Sequence, residues 1–485
     1  MSDTNKEFKR SLGLLDATNI VAGSMIGSGI FIVTTFMARD LGSSGWILVV
    51  WLLTGLITVT AALSYGELAG MMPKAGGQYV YIQRAYGRMV SFLYGWSVFT
   101  VIQTGVIAAV AVAFSKYTSV FFPELNTVIF YLPFTQVTYA QLLSILCILF
   151  LTFINSRGVK NGKTIQLIFT SAKLIALFAL IILGLALGFR SEIIAQNFTN
   201  MWEASQTVVT DGKITDVIPL TGFALIAAMG ATIINPLFSS DAWYNVTFIA
   251  GEIKDPAKNI PRSLFLGTLI VTVIYVLSNV AYLALLPVHG NPEATDVIGQ
   301  GIMFSSNDRV GTAAASVIFG NSAIFIMAAL IMISTFGCNN GIILSGARLF
   351  YAMSKDGLFF KKAGQLNAKQ VPATAMWLQG IWACILCLSG KYNELIEYAT
   401  FVSLLSYILT IAGVFILRKK EPDTPRPYKT FGYPFIPIFY IAITTAICID
   451  LLIYKPGTTL SGLLIVLIGV PVYFFTSRKP DLPSE

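Results

Sequence analysis

Charge is what this sequence has least of. Only 12% of its 485 residues are Asp, Glu, Lys or Arg, while 55% are hydrophobic, against about 25% charged in ordinary soluble proteins. So few charges cannot coat the roughly three soluble domains that the length would suggest. One polytopic membrane domain covering 1–485 is expected instead. Histidine is nearly absent: the single His289 leaves no material for a histidine proton relay. The five cysteines, Cys147, Cys338, Cys384, Cys387 and Cys448, all fall in apolar runs. No disulfide framework follows, and Cys384-x-x-Cys387, without a neighbouring histidine, reads as core packing. The apolar runs hold no nucleophile elbow and no metal-ligand set, so no enzyme, cofactor or metal site is expected. The first twelve residues are polar and too short for a signal peptide, and the apolar run behind them is too long, so an uncleaved N-terminus is expected.

What the sequence has in abundance is long apolar runs. A spanning helix needs about 20 mostly apolar residues, and twelve such spans are predicted, at about 14–38, 45–69, 90–116, 139–156, 164–188, 218–251, 263–286, 321–352, 373–389, 394–417, 434–454 and 459–476. Lys and Arg concentrate in cytoplasmic loops. With both termini inside, 23 of the 32 basic residues fall on the inner side, 7 on the outer side, and Lys173 and Arg348 within spans. The formal charge of +8 is therefore a membrane-orientation signal and not a nucleic-acid footprint. The partners implied are the lipid bilayer and a small molecule. The sizeable outer segments, 189–217 and 287–320, are too small to be separate domains.

Two spans carry interruptions. Gly23-Ser24-Met25-Ile26-Gly27-Ser28-Gly29-Ile30-Phe31 puts three glycines and two serines at the centre of span 1. Glycine costs about 1 kcal/mol in a helix relative to alanine, and non-helical backbone at membrane depth survives only where protein or a cavity surrounds it. Either the helix opens here to bind something polar, or Gly23-x-x-x-Gly27 is a small-residue seam for a neighbouring helix. Span 6 carries Asn235-Pro236-Leu237-Phe238-Ser239-Ser240-Asp241-Ala242-Trp243, a proline followed by polar residues at a depth where charge is expensive. Interrupted helices at corresponding positions of two inverted halves are the best sequence pointer to a transporter's binding site. This favours opening in span 1. The halves would be 14–188 and 218–417, with spans 11 and 12 (434–476) appended.

These residues resemble the amino acid–polyamine–organocation family of permeases, in its L-type amino acid transporter-like branch. The span 1 stretch is similar to that family's substrate-carboxylate motif, and Phe238-x-x-Asp241-Ala242-Trp243 to its span 6 motif. Glu252-Ile253-Lys254-Asp255-Pro256, Asn339-Asn340-Gly341, Arg348-Leu349-Phe350 and Gly432-Tyr433-Pro434 extend the likeness over nearly the whole chain. Two departures stand out: Ser240 replaces a usual tyrosine and Ala242 a usual glycine. The resemblance implies an all-α polytopic membrane protein with twelve transmembrane helices in a LeuT-like five-plus-five inverted-repeat fold, helices 1 and 6 broken. It also implies that Lys173, about ten residues into span 5 and so ~15 Å deep, sits where related sodium symporters hold a cation. Relatives in animals pair with a glycoprotein through an outer cysteine after span 3; no cysteine occurs in residues 117–138, so no disulfide-linked heavy subunit is expected.

A broken helix offers free N–H groups and a positive dipole end at the start of its second half, and free carbonyls at the end of its first. An amino acid's carboxylate is therefore expected near Ser28, Gly29 and Ile30. Its ammonium is expected at carbonyls near Ala22 and Met25, and around Phe238 and Ser239. Gly27 and Gly29 would let the ligand approach the backbone. Phe238 is the candidate outer gate. Ser240 and Asp241 complete the set, with Asp241 expected to bond to another helix before it meets substrate. Lys173 is the candidate coupling residue, and Glu67 and Glu252 are expected to pair with basic residues at inner helix ends. The activity expected is alternating-access transport of amino acids, neutral ones first, by sodium-independent exchange or facilitation at the cytoplasmic membrane. Proton-coupled symport and a cationic amino acid or polyamine carrier are the alternatives within the class. A channel would need a continuous polar pore, and the breaks are local.

Overall fold

The computed structural model describes Phe8 and residues 10–132, 135–187, 191–210, 212–388 and 392–476. Both chain termini, with Lys6, Lys9, Arg478 and Lys479, and the outer residues Arg190 and Lys391 lie outside the described residues. The expected spans reappear as helices with boundaries shifted by a few residues. Span 2 is Ser44–Met71, span 3 Arg88–Thr118, span 4 Tyr139–Ser156 and span 5 Val159–Leu187. Span 7 is Pro256–Leu285, span 8 Ala323–Lys355, span 9 Ala373–Cys387, span 10 Tyr392–Lys420, span 11 Phe435–Tyr454 and span 12 Pro456–Thr476. Among the described residues, ten helices are long and apolar enough to cross a membrane. The two expected spans outside that group are span 1, which is divided, and span 9, which has only 15 residues.

Local chemistry fixes the ends. Span 2 starts where Ser43 accepts the Trp46 N–H, and span 4 where Thr138 and Gln141 cap each other reciprocally. Span 3 is interrupted at Val98–Ile102 by a π-helical turn, where the Thr104 hydroxyl donates to the Phe99 carbonyl at 2.7 Å. Such single-turn insertions re-aim the following side chains, here those of Gln103–Thr118.

The chain also forms strands that the all-helical expectation omits. Val128–Leu132 pairs antiparallel with Thr135–Thr138, and Ala204–Thr210 with Lys213–Leu220. Both hairpins lie in segments assigned to the outer side. A helix at Gln78–Tyr86 sits between spans 2 and 3.

Span 2 packs along span 7, and span 3 along span 8. Two charged pairs, each with a buried glutamate, tie this bundle together: Arg348 of span 8 reaches Glu252 at 2.8 Å, and Glu67 of span 2 holds Arg418 at 2.6 Å and the Thr430 N–H at 2.8 Å. Both glutamates therefore meet basic partners, as expected from their positions. Exposed leucines, isoleucines and phenylalanines such as Leu146, Phe150, Ile438, Ile449 and Leu464 cover the outward faces of spans 4, 11 and 12, which in water would be costly and in lipid are not.

Candidate site at the paired helix breaks

Span 1 divides into Leu14–Met25 and Val33–Leu41, joined by a non-helical step and a 3₁₀ turn at Gly29–Phe31. The first half ends at Ile26, which leaves the helix with φ −78° and ψ 96°. The helix is interrupted within the glycine cluster, and the three glycines differ in what surrounds them. A Cβ on Gly23 would lie 2.0 Å from Gln166 Nε2 and 2.3 Å from Thr170 Oγ1, so Gly23 is a seam against span 5. A Cβ on Gly27 would meet only Cys338 Sγ, at 3.8 Å, so Gly27 leaves its space open. A Cβ on Gly29 would lie 2.1 Å from Ser239 Oγ. Gly29 thus serves the close approach of span 6, and of these three glycines Gly27 alone has open space beside it.

Span 6 runs as Gly222–Thr232 and Ile234–Ser239, then opens through 240–244 before a short helix at Asn245–Phe248. The opening follows Ser239 and not Pro236. Proline falls in the first turn of Ile234–Ser239, where its missing N–H has little to lose. Ala242 lies in the opening with φ 65°. That left-handed conformation costs a residue with a Cβ about 1–2 kcal/mol, which accounts for glycine in the motif it resembles.

The carbonyls released by the span 1 break are already engaged. Lys173 Nζ donates to the carbonyls of Gly23 at 2.5 Å and Ile26 at 2.6 Å. Ser334 donates to Ile26 and Gly27, both at 3.0 Å, and the Cys338 thiol to Ser24 at 3.0 Å. The Tyr275 hydroxyl bridges the two breaks, reaching Met25 O at 3.2 Å and Ser239 O at 3.0 Å. Ala22 O takes the Ile26 N–H at 3.1 Å. The donors are in the opposite condition. The N–H groups of Gly27, Ser28, Gly29 and Ile30 form no backbone hydrogen bond.

A cavity of about 40 Å³ lies between the breaks, with room for roughly three water molecules. Met25, Gly27, Ser28, Gly29, Phe238, Ser239 and Asp241 line it, together with the strained Ala242. Three candidates lie elsewhere. Ala22 is buried inside the first half-helix, Ile30 is buried at 0% exposure, and Ser240 lines a separate cavity with Thr58, Ser403 and Tyr440. Asp241 borders both cavities and accepts a hydrogen bond from the Tyr407 hydroxyl of span 10. Phe238 is half-buried in the cavity wall.

Sequence reasoning missed Ser24, Cys338 and the apolar wall of Val106, Ala109, Val110 and Ile342. Cys338, noted only as lying in an apolar run, lines the cavity and donates to the Ser24 carbonyl of the break. The Ser24 hydroxyl is buried and has no partner. The wall residues look like ordinary span residues, and only the packing of spans 3 and 8 brings them here.

Both ends of span 1 are tied down around this cavity. At its N-terminal end, Asp16 pairs with Lys163 of span 5 at 2.7 Å, and Leu12 forms a parallel bridge with Ile253. At its C-terminal end, Arg39 is paired with Asp308, and Thr232 of span 6 donates to Asp40 at 2.5 Å.

Residues 12–484 match the amino acid permease family. The chain belongs to that family. The permease is 31% identical over 485 residues to the large neutral amino acids transporter small subunit 2 of Homo sapiens, covering 98% of this chain and 83% of that protein. It is 29% identical over 471 residues to the b(0,+)-type amino acid transporter 1 of Mus musculus, covering 96% and 88%. With the Asc-type amino acid transporter 1 of Mus musculus it shares 29% over 480 residues, covering 97% and 82%. The permease is thus a multi-pass membrane protein of a transporter class and not of an enzyme class. One expectation needs correction. A relative named as a small subunit belongs with a companion chain, so a heavy subunit is not excluded for the class. The absence of cysteine from residues 117–138 bears on the disulfide alone.

Gly27 and Gly29 separate experimentally. Gly29→Ala is expected to displace Ser239, and to lower both the thermal unfolding midpoint and transport. Gly27→Ala is expected to fold normally and to narrow the cavity, so that uptake of large side chains falls more than uptake of alanine. A Gly29→Ala protein with unchanged stability and uptake would remove the assignment.

Proposed function

We propose that this permease carries neutral amino acids across the cytoplasmic membrane by alternating access, as a sodium-independent exchanger or facilitator. The observation that carries the reading is the row of uncommitted N–H groups at Gly27–Ile30 beside a small, largely apolar cavity. Such a row at a helix start suits a carboxylate, and Val106, Ala109, Val110 and Ile342 suit an uncharged side chain. Asp241, the carboxylate of the cavity wall, accepts a hydrogen bond from the Tyr407 hydroxyl of span 10. The carriers named among its relatives for large neutral amino acids support the same substrate class. Lys173 fills the carbonyl corner where a sodium ion would need ligands.

Phe238, in the cavity wall, is the outer gate of this reading. The cavity's small volume requires the half-helices to separate before substrate enters. The packing of span 2 on span 7 and of span 3 on span 8 supports inverted repeats at 14–188 and 218–417, with 434–476 appended. Both termini are placed in the cytoplasm on the distribution of Lys and Arg. A companion chain would be held without a disulfide, since all five cysteines lie within helices.

Proteoliposome counterflow tests the reading. Saturable uptake of a labelled neutral amino acid, dependent on unlabelled amino acid inside and indifferent to sodium, is expected. Uptake that needs no internal amino acid and accelerates with an imposed proton gradient would replace exchange by proton-coupled symport. Unsaturable conductance would replace the carrier by a channel.

A further inference from the structure

A far roomier opening lies away from the broken helices. It is a groove of about 790 Å³ whose walls include Leu63 of span 2, Lys258, Arg262 and Phe265 of span 7, and Tyr428 and Phe431 of the segment between spans 10 and 11. Lys258 and Arg262 stand one helical turn apart, on the same side of span 7. Both are exposed, and neither forms an ion pair or side-chain hydrogen bond among the described residues. No acidic residue lines the groove. The acids nearby are otherwise placed: Asp255 precedes the first turn of span 7, and Glu67 is held by Arg418, Arg426 and the Thr430 N–H.

The groove's apolar side is continuous with an exposed strip of span 7. Phe265, Leu266, Leu269, Ile270 and Val273 are 37–46% exposed, and in a membrane protein lipid chains must cover them. A pair of cations at one end and an apolar strip at the other match one amphiphile. We propose that this groove binds an anionic phospholipid of the inner leaflet. Its phosphate lies between Lys258 and Arg262, and an acyl chain follows Phe265 along span 7. The proposal rests on the inner placement of these loops and goes beyond the transport reading. The lipid would touch span 2, span 7 and the segment carrying Arg426 and Thr430, and so add span 7 to the span 2 and inter-span segment that Glu67 already joins. A soluble anion would gain nothing from the apolar strip.

Native mass spectrometry of the full-length protein in detergent, with added phosphatidylglycerol or phosphatidylcholine of identical acyl chains, tests this. The wild type is expected to retain phosphatidylglycerol selectively. Each basic residue near an anionic lipid surface contributes about fivefold. Lys258→Gln with Arg262→Gln is therefore expected to lower retention about thirtyfold, and either single change about fivefold. Lys361→Gln with Lys362→Gln removes the same charge elsewhere on that side and is expected to change nothing. Should the double variant unfold, as judged by its thermal midpoint, the single variants give the same reading. Equal retention of both lipids, equal loss in the control pair, or displacement by glycerol phosphate as effective as by the whole lipid would each overturn the proposal.

Discussion

Lys173→Ala is expected to reduce counterflow at least tenfold while leaving the protein in the membrane. The lysine's amine sits on the carbonyls of Gly23 and Ile26, at the end of the first half of span 1. Ile26 would keep Ser334 as a donor; Gly23 would keep none. An unsatisfied buried carbonyl costs about 1–3 kcal/mol, enough to re-form helix across the break or to admit water. Either result repositions the N–H groups of Gly27–Ile30, and with them the carboxylate site of the proposed function. The measurement is initial exchange rate per folded transporter, with the thermal midpoint as a control. Exchange at the wild-type rate would show that Lys173 supports neither the geometry nor the cycle. Lys173→Ala exchange that is normal without a proton gradient but no longer accelerated by one would move the residue from positioning to proton coupling.

The second large effect concerns Arg348 and Glu252. The pair joins span 8 to the inner end of span 6 at 2.8 Å, with side chains 0% and 2% exposed. Removing one member of a buried pair is costly, about 3–5 kcal/mol, because the other is left charged and alone; replacing both by apolar residues is often neutral. Arg348→Met is expected to lower the thermal midpoint strongly and to cut surface expression. Arg348→Met with Glu252→Leu is expected to restore most of the stability. Transport separates structure from motion. If the pair must break for the inner side to open, the double variant is stable and faster in releasing substrate, or stable and unable to close. Equal losses in the single and double variants would show that the pair is not the relevant bond.

The sequence is legible here where chemistry is local. Three glycines and two serines in a membrane-depth run announce a break, and the depth of Lys173 announces an anchor. What the residues at 22–30 do not disclose is which carbonyl meets which neighbour, because those donors arrive from spans 5, 7 and 8. Ala22 and Met25 are thus readable as acceptors, yet both are already taken. Pro236 draws attention to the wrong residue: its lost N–H is harmless at the start of Ile234–Ser239, and the opening waits for Ser240–Tyr244. Ser240 and Asp241 are adjacent in sequence, yet only Asp241 reaches the central cavity. A change of backbone direction between these neighbours decides this, and no composition carries it. The hairpin at 204–220 did have a signal. Asp211-Gly212 separates two runs rich in valine, isoleucine and threonine, the usual mark of a tight hairpin.

The engagement of the span 1 carbonyls by Lys173, Ser334, Cys338 and Tyr275 has a bearing on ligand choice. A site whose break carbonyls are engaged and whose backbone donors are idle is electrostatically one-sided along span 1. Under the proposed function it would read the acid end of a zwitterion first, and offer span 1 carbonyls to the amino end only after the surrounding helices yield one. A decarboxylated amine would then meet no free carbonyl of the break on arrival. A carboxylate without an amino group can dock but supplies no cation to draw those carbonyls away. Such compounds would compete for the site without being carried, which makes recognition and passage two separate requirements placed on opposite ends of the same small molecule.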